Sequence, residues 1–228
     1  MTKQIPLILD IDGTITSPEE WRLDPRIINP IRSWDGPVIF ATGKAFPYPV
    51  MLCRFLGIGE YVVAENGGVV YDGKTIEKTT NSTIPFQVAE EYINAGYELG
   101  PESISLANRW RETEMLVHKD QPLQPLQNII DPHDVELIDT GFAYHIKDPT
   151  VMKGDGIKIL AESLGFELQS AIAIGDSIND VSVFEIVGES FAVGNADSKA
   201  REVADHVVDE EQADGTIKIL KQMGDSAD

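Results

Sequence analysis

The chain has 228 residues, with 38 acidic against 18 basic side chains, a formal charge of −20 and 42% hydrophobic residues. That balance excludes a nucleic-acid binder working through a clustered basic face, and the apolar content excludes an acidic chain too poor in core residues to fold. Cys53 is the only cysteine, which excludes an internal disulfide framework and a cysteine-type metal cluster and points to a reduced, cytoplasmic setting. The apolar run at 5–9 is cut by Asp10, too early for a signal-peptide core or a membrane span, so no membrane partner is expected.

In chain order, residues 5–11 read as a buried strand ending in the polar turn Asp10-Ile11-Asp12-Gly13-Thr14. Asp24-Pro25 supplies an N-cap and first-turn proline for a helix reaching about 34. A strand at 38–42, a helix at 46–56 and a short strand at 61–64 follow. Glu65-Asn66-Gly67-Gly68 then turns into 69–71, and Asp72-Gly73 predicts a hairpin to 75–78. Past a Thr/Asn/Ser linker at 79–83 the pattern changes to a small α+β unit, with helices at 86–97 and 123–130 and strands at 114–118, 135–139 and 142–147. From Lys153 helix and strand alternate again: helices at 154–164, 178–187, 199–204 and 215–223, strands at 171–175, 190–193 and 206–208. This order predicts an α/β fold, a doubly wound, mostly parallel Rossmann-like sheet formed by 1–80 and 151–228, with 81–150 inserted as a smaller α+β domain.

Residues two apart on a strand share a face, so Asp10 and Asp12 both reach the crevice beyond the strand's carboxyl end, where such sheets bind ligands. Two adjacent carboxylates repel and need a cation or a shared proton; the alternative for an Asp-x-Asp alone is an ordinary turn with capping duties. Gly175-Asp176-Ser177-Ile178-Asn179-Asp180 places a second acidic pair after a second apolar strand. Asp176 or Ser177 alone reads as a helix cap, which leaves Asp180 unexplained. Together the two pairs predict an oxygen-rich pocket of the kind hard Mg²⁺ prefers. The four histidines, His118, His133, His145 and His206, are scattered and read as ordinary surface or core residues. Cys53 lies in an apolar helix and reads as an inert buried thiol.

Asp10 through Thr14, Ala41-Thr42-Gly43, Lys153-Gly154 and Gly175 through Asp180 together resemble the four ordered motifs of the haloacid dehalogenase-like phosphohydrolases. The insertion after Glu65-Asn66-Gly67-Gly68 resembles the subgroup with a large α/β cap, the Cof-like members. The short cap and overall length are most similar to archaeal-type phosphoglycolate phosphatases. The resemblance implies that Asp10 is the nucleophile of an aspartyl-phosphate pathway and Asp12 its general acid/base. It implies Mg²⁺ held by the Asp10 carboxylate, the Asp12 backbone carbonyl and Asp176, with Asp180 as a further ligand or acting through water. Thr42 and the Gly43 N–H would take phosphate oxygens, Lys153 would bind the phosphate with them, and Asn179 would fix the phosphate or orient Asp176.

A lysine at a helix start opposes the macrodipole, so Lys153 by itself suggests an anion nearby, a surface lysine being the alternative. Lys44 stands where many relatives carry arginine and offers a point charge rather than a fork. Arg109 and Arg111 flank Trp110 in an expected cap loop, where a guanidinium would suit a substrate carboxylate. The expected partner is a small phosphorylated metabolite, 2-phosphoglycolate by resemblance. The alternatives are a sugar phosphate or broad-range substrate, phosphotransfer as in a mutase, or a phosphate-binding protein without turnover. Four acids serve the site, so the remaining carboxylates, Asp209-Glu210-Glu211 and the Asp225 and Asp228 tail among them, are expected as a solvated surface suited to a salt-rich cytoplasm.

Overall fold

The computed structural model describes residues 4–17 and 22–225; of the tail pair, Asp225 closes the last helix and Asp228 lies outside the described residues. The first half of the core runs β1 (Leu7–Leu9), α1 (Ile28–Arg32), β2 (Val38–Ala41), α2 (Pro47–Leu56) and β3 (Tyr61–Ala64), then β4 (Val69–Asp72) and β5 (Ile76–Lys78). The insertion comprises α3 (Ile84–Asn94), α4 (Glu102–Asn108), β6 (Met115–His118), α5 (Leu123–Ile130), β7 (Glu136–Asp139) and β8 (Ala143–Lys147). The core resumes with α6 (Lys153–Leu164), β9 (Ile172–Gly175), α7 (Val181–Phe184), β10 (Glu189–Ala192), α8 (Ser198–Val203), β11 (His206–Val207) and α9 (Gln212–Asp225).

The core sheet has the order β11-β10-β9-β1-β2-β3-β4-β5, with β4 and β5 antiparallel at one edge and the other strands parallel. The parallel strands are apolar on both faces, as strands covered on both sides must be. Leu7, Leu9, Phe40, Val62 and Ile174 pack toward Ile31, Cys53, Leu56 and Ile219, under α1, α2 and α9. Ile8, Ile39, Val63 and Ala173 pack the other way, toward Ile157, Leu160, Val183 and Ala200 of α6, α7 and α8. Helix α2 starts with proline in its first turn and stops at Gly57 in the left-handed region, the expected punctuation at both ends. Cys53 is buried in it, and burial together with the nearby Glu60 pushes its thiol up to about 12, so it is inert.

In the insertion, the sheet β6-β8-β7 is antiparallel. Val88 and Tyr92 of α3 and Leu126 of α5 cover one face through Val117, Tyr144 and Ile146. By alternation, Glu114, His145 and Lys147 lie on the other face, together with Leu116, which packs on Ile104 of α4. The insertion's two ends meet where Thr80 Oγ1 donates to Asp148 Oδ2 at 2.6 Å.

Three expectations shift. Helix α3 begins at Ile84 rather than 86, because Pro85 fits its first turn. The helix expected over 178–187 is a 3₁₀ turn at 178–180 followed by the four residues of α7. Helix α4 has no counterpart among the elements expected from sequence: Gly100-Pro101 and two serines surround Ile104, its one fully buried apolar anchor, and a single anchor gives no periodicity. Asn108 holds α4 in place instead, bonding both the N–H and the carbonyl of Leu116.

No helix among the described residues is long and apolar enough to cross a membrane. The excess of carboxylates repels itself at low ionic strength. Melting temperature is therefore expected to rise steadily from dilute buffer to molar KCl; a flat or falling midpoint would refute a stability role for salt.

Candidate active site

Leu9 of β1 lies in register with Ile174 of β9, and the Asp10 N–H donates to the Ile174 carbonyl at 3.0 Å. This contact brings the ends of the two central strands together, at the point where strand order reverses. The turn after Asp10 requires glycine at position 13, where φ is +79° and the Asp176 carboxylate occupies the space a Cβ would need. Asp10 and Asp180 are buried, with Asp176 beside them.

Lys153, the first residue of α6, is buried with its Nζ 2.7 Å from both Asp10 Oδ1 and Asp180 Oδ1. The anions that its position at a helix start demanded are these two carboxylates. Asp180 Oδ2 accepts the backbone N–H groups of Asp176 and Ser177, both at 3.0 Å, and forms a capping box with Ser177. Ser177 therefore caps the turn and Asp176 does not, which leaves the Asp176 carboxylate to the pocket, steadied by Asn195 Nδ2 at 3.2 Å.

Oxygens of Asp10, Asp176 and Asp180 lie within 4.8 Å of one another. Burial, with the neighbouring carboxylates Asp180 and Asp12, lifts Asp10 to about 7 against the pull of Lys153. Burial, then Asp10 and Asp180, lifts Asp176 to about 9. Lys153 is raised as well: burial would lower it, but Asp10 and Asp180 hold it well above the usual range. Three carboxylates around one ammonium leave an uncompensated negative site built of oxygen donors, which fits a hard divalent cation. Asp10 and Asp176 have more freedom to ligate, since Asp180 spends one oxygen on Lys153 and the other on backbone N–H groups.

Asp12 stands apart from this cluster, its carboxylate partly exposed and 2.9 Å from Lys44 Nζ. Thr42 is buried at the end of β2, its Oγ1 accepting the Lys44 N–H at 3.1 Å. Gly43 lies beneath Asn66 and His145, both within 3.3 Å of where its Cβ would be. Asn179 Nδ2 donates to Asn66 Oδ1 at 3.1 Å, and its own Oδ1 is buried with no partner.

The two arginines part company. Arg109 is exposed, whereas Arg111 is buried, ion-paired to Glu114, with Nη2 donating to the Gly43 carbonyl at 2.9 Å. Glu114 also accepts Asn66 Nδ2 at 2.9 Å and lies 3.1 Å from His145 Nδ1. Burial works against its ionisation, but His145, Arg111 and these hydrogen bonds outweigh it and hold the group at about 2. Glu65 Oε2 accepts the backbone N–H groups of Glu112 at 2.9 Å and Thr113 at 2.8 Å, together with the Thr113 hydroxyl, clamping the cap segment to the core. Its carboxyl is raised by burial and by Glu114.

Sequence reasoning missed Glu65, Asn66, Glu114 and His145. Glu65 and Asn66 had a usable signal: polar residues directly after a buried parallel strand stand at the same edge as Thr42 and Asp10. Glu114 and His145 had none, because only the cap's docking brings them there.

Residues 7–133 and 136–220 match the haloacid dehalogenase-like hydrolase family. The chain belongs to that family. A relative from Natronomonas pharaonis, named phosphoglycolate phosphatase, is 50% identical over 97% of this chain and 98% of its own. A protein of the same name from Halobacterium salinarum is 46% identical over 97% of this chain and 98% of its own. Among solved structures, a Thermoplasma acidophilum protein superposes with a TM-score of 0.83 at 23% identity, over 96% of this chain and 98% of that one, and so shares its fold.

Proposed function

We propose that the protein is a Mg²⁺-dependent phosphomonoesterase that hydrolyses 2-phosphoglycolate to glycolate and inorganic phosphate. The observation that carries the reading is the cluster of Asp10, Asp176 and Asp180, with Lys153 bonded to the first and last, which would put a nucleophile and a cation site in one place. The substrate comes from the name shared by the relatives at 46–50% identity. The acidic surface and the reduced thiol suit a salt-rich cytoplasm.

Carboxylate attack on a phosphate dianion is opposed by charge repulsion; Asp10, the Asp12 carbonyl, Asp176 and Asp180 would hold Mg²⁺, which would supply the neutralisation. Lys153 fixes one Asp10 oxygen and leaves the other to form the bond to phosphorus as the ester oxygen departs. Thr42 and the Gly43 N–H hold the phosphoryl oxygens. Asp12, two residues along the same strand end, protonates the leaving alkoxide and then takes a proton from the water that cleaves the aspartyl-phosphate. Lys44 holds the Asp12 carboxylate in that crevice. The cap excludes bulk water, and Arg111 ties it to the core through the Gly43 carbonyl.

A panel of phosphorylated metabolites assayed with Mg²⁺ and with chelator tests this. The expected result is hydrolysis lost in chelator, with the highest specificity constant for 2-phosphoglycolate. Chelator-insensitive turnover would sink the mechanism, while a preference for hexose phosphates would remove the substrate and leave the chemistry standing.

A further inference from the structure

We propose that Asn66 is a positioning residue whose side-chain amide links the docked cap to the loop carrying Asp176 and Asp180. The inference rests on the phosphatase reading only for its kinetic arm. Asn66 is buried immediately after β3 with φ 56° and ψ 25°, a left-handed conformation that non-glycine residues seldom adopt and asparagine tolerates best. Glu65 before it also has positive φ. Two strained residues in sequence, in a buried turn, are held only where surrounding contacts over-determine them.

Those contacts reach four separate segments. The Asn66 N–H donates to the Thr42 carbonyl at 3.1 Å, its Nδ2 donates to Glu114 at 2.9 Å and lies 3.2 Å from His145 Nδ1, and its Oδ1 accepts Asn179 Nδ2 at 3.1 Å. The amide can point only one way. Glu114 is ionised and accepts hydrogen bonds only, so it must face the Asn66 NH₂ group. The Asn66 oxygen must then face Asn179, which must answer with its own NH₂. This ordering leaves Asn179 Oδ1 as the buried atom without a partner, one residue from Asp180. A charge in the cap thereby fixes the orientation of a side chain in the metal loop through one intervening amide, although Glu114 and Asn179 make no hydrogen bond to each other. When the cap leaves, Asn66 loses Glu114 and the orientation of Asn179 is no longer imposed.

The test uses the full chain in molar KCl and the variants Asn66→Gly, which keeps the left-handed backbone available while deleting the amide, Glu114→Gln and Asn179→Ala. Binding of Mn²⁺ alone is followed by electron paramagnetic resonance without substrate, and kcat and KM are measured with 2-phosphoglycolate and with p-nitrophenyl phosphate. Asn66→Gly is expected to lower kcat on both substrates by about 30- to 100-fold, the scale of a misplaced site, with KM moving much less, and to weaken Mn²⁺ binding severalfold. In the Asn179→Ala background, Asn66→Gly and Glu114→Gln should each add less than about twofold, because the route they act through is gone. Losses from Asn66→Gly that multiply with those of Asn179→Ala, or a kcat within about twofold of wild type, would overturn the proposal. If Asn66→Gly does not fold, Glu114→Gln alone decides by the same coupling to Asn179. A wild type inactive on 2-phosphoglycolate would strike the substrate assignment, while Mn²⁺ binding and p-nitrophenyl phosphate turnover still test Asn66.

Discussion

Asp10→Asn is expected to abolish turnover, by at least about 10⁴-fold as for other lost nucleophiles, and at the same time to stabilise the metal-free protein above neutral pH. The two effects share one origin. Asp10 and Asp176 lie at about 7 and about 9 against an ordinary 3.8, so the folded protein retains protons that the unfolded chain releases. The stability these groups contribute is fully present below about pH 4 and drains away as pH climbs through both values. Removing the Asp10 charge relieves Asp176 and flattens that decline. Thermal melts in chelator between about pH 5 and pH 9 read the difference. Added Mg²⁺ should raise the wild-type midpoint more at the alkaline end, where the cation no longer competes with protons, and should do so weakly in Asp10→Asn. A variant that melts below wild type across this range would show that Asp10 is held by contacts rather than opposed by charge.

Lys153→Met should have the opposite sign. Its ammonium is the only cation bonded to Asp10 and Asp180 among the described residues, and removing one partner of a buried ion pair leaves charge uncompensated at a cost of about 3–5 kcal/mol. For a chain of this size that lowers the midpoint by roughly 10 °C. Low pH or saturating Mg²⁺ should restore part of it, and combining the variant with Asp10→Asn should cost less than the sum of the two, since the charges are coupled. A Lys153→Met protein as stable as wild type in chelator would mean that the carboxylates are not charged as assigned.

The same groups show what was legible in advance. Apolar strands at 5–9, 38–41 and 171–174, each ending in polar residues, carry their own register: strand alternation and the rule of the carboxyl edge suffice to bring Asp10, Thr42 and Asp176 to one crevice. Lys153 announced itself by being in the wrong place for a helix dipole. What could not be read is whatever depends on two units meeting. His145 alternates on β8 like any half-buried residue, and nothing local separates the face it shares with Lys147 from the face that packs on α3. Arg109 and Arg111 are equivalent in sequence, yet one turn of backbone sends the first to solvent and the second into an ion pair with Glu114. Helix α4 was hidden because its fixing contacts are the hydrogen bonds of Asn108 to a strand eight residues on, and polar anchors leave no period.

The hydrogen bond between Thr80 and Asp148 has a consequence for how such an enzyme diversifies. Because the chain departs from and returns to the core at one pinned spot, an inserted module must match that end-to-end separation. It must also supply docking contacts of the kind that Arg111, Thr113 and Glu114 make with Gly43, Glu65 and Asn66.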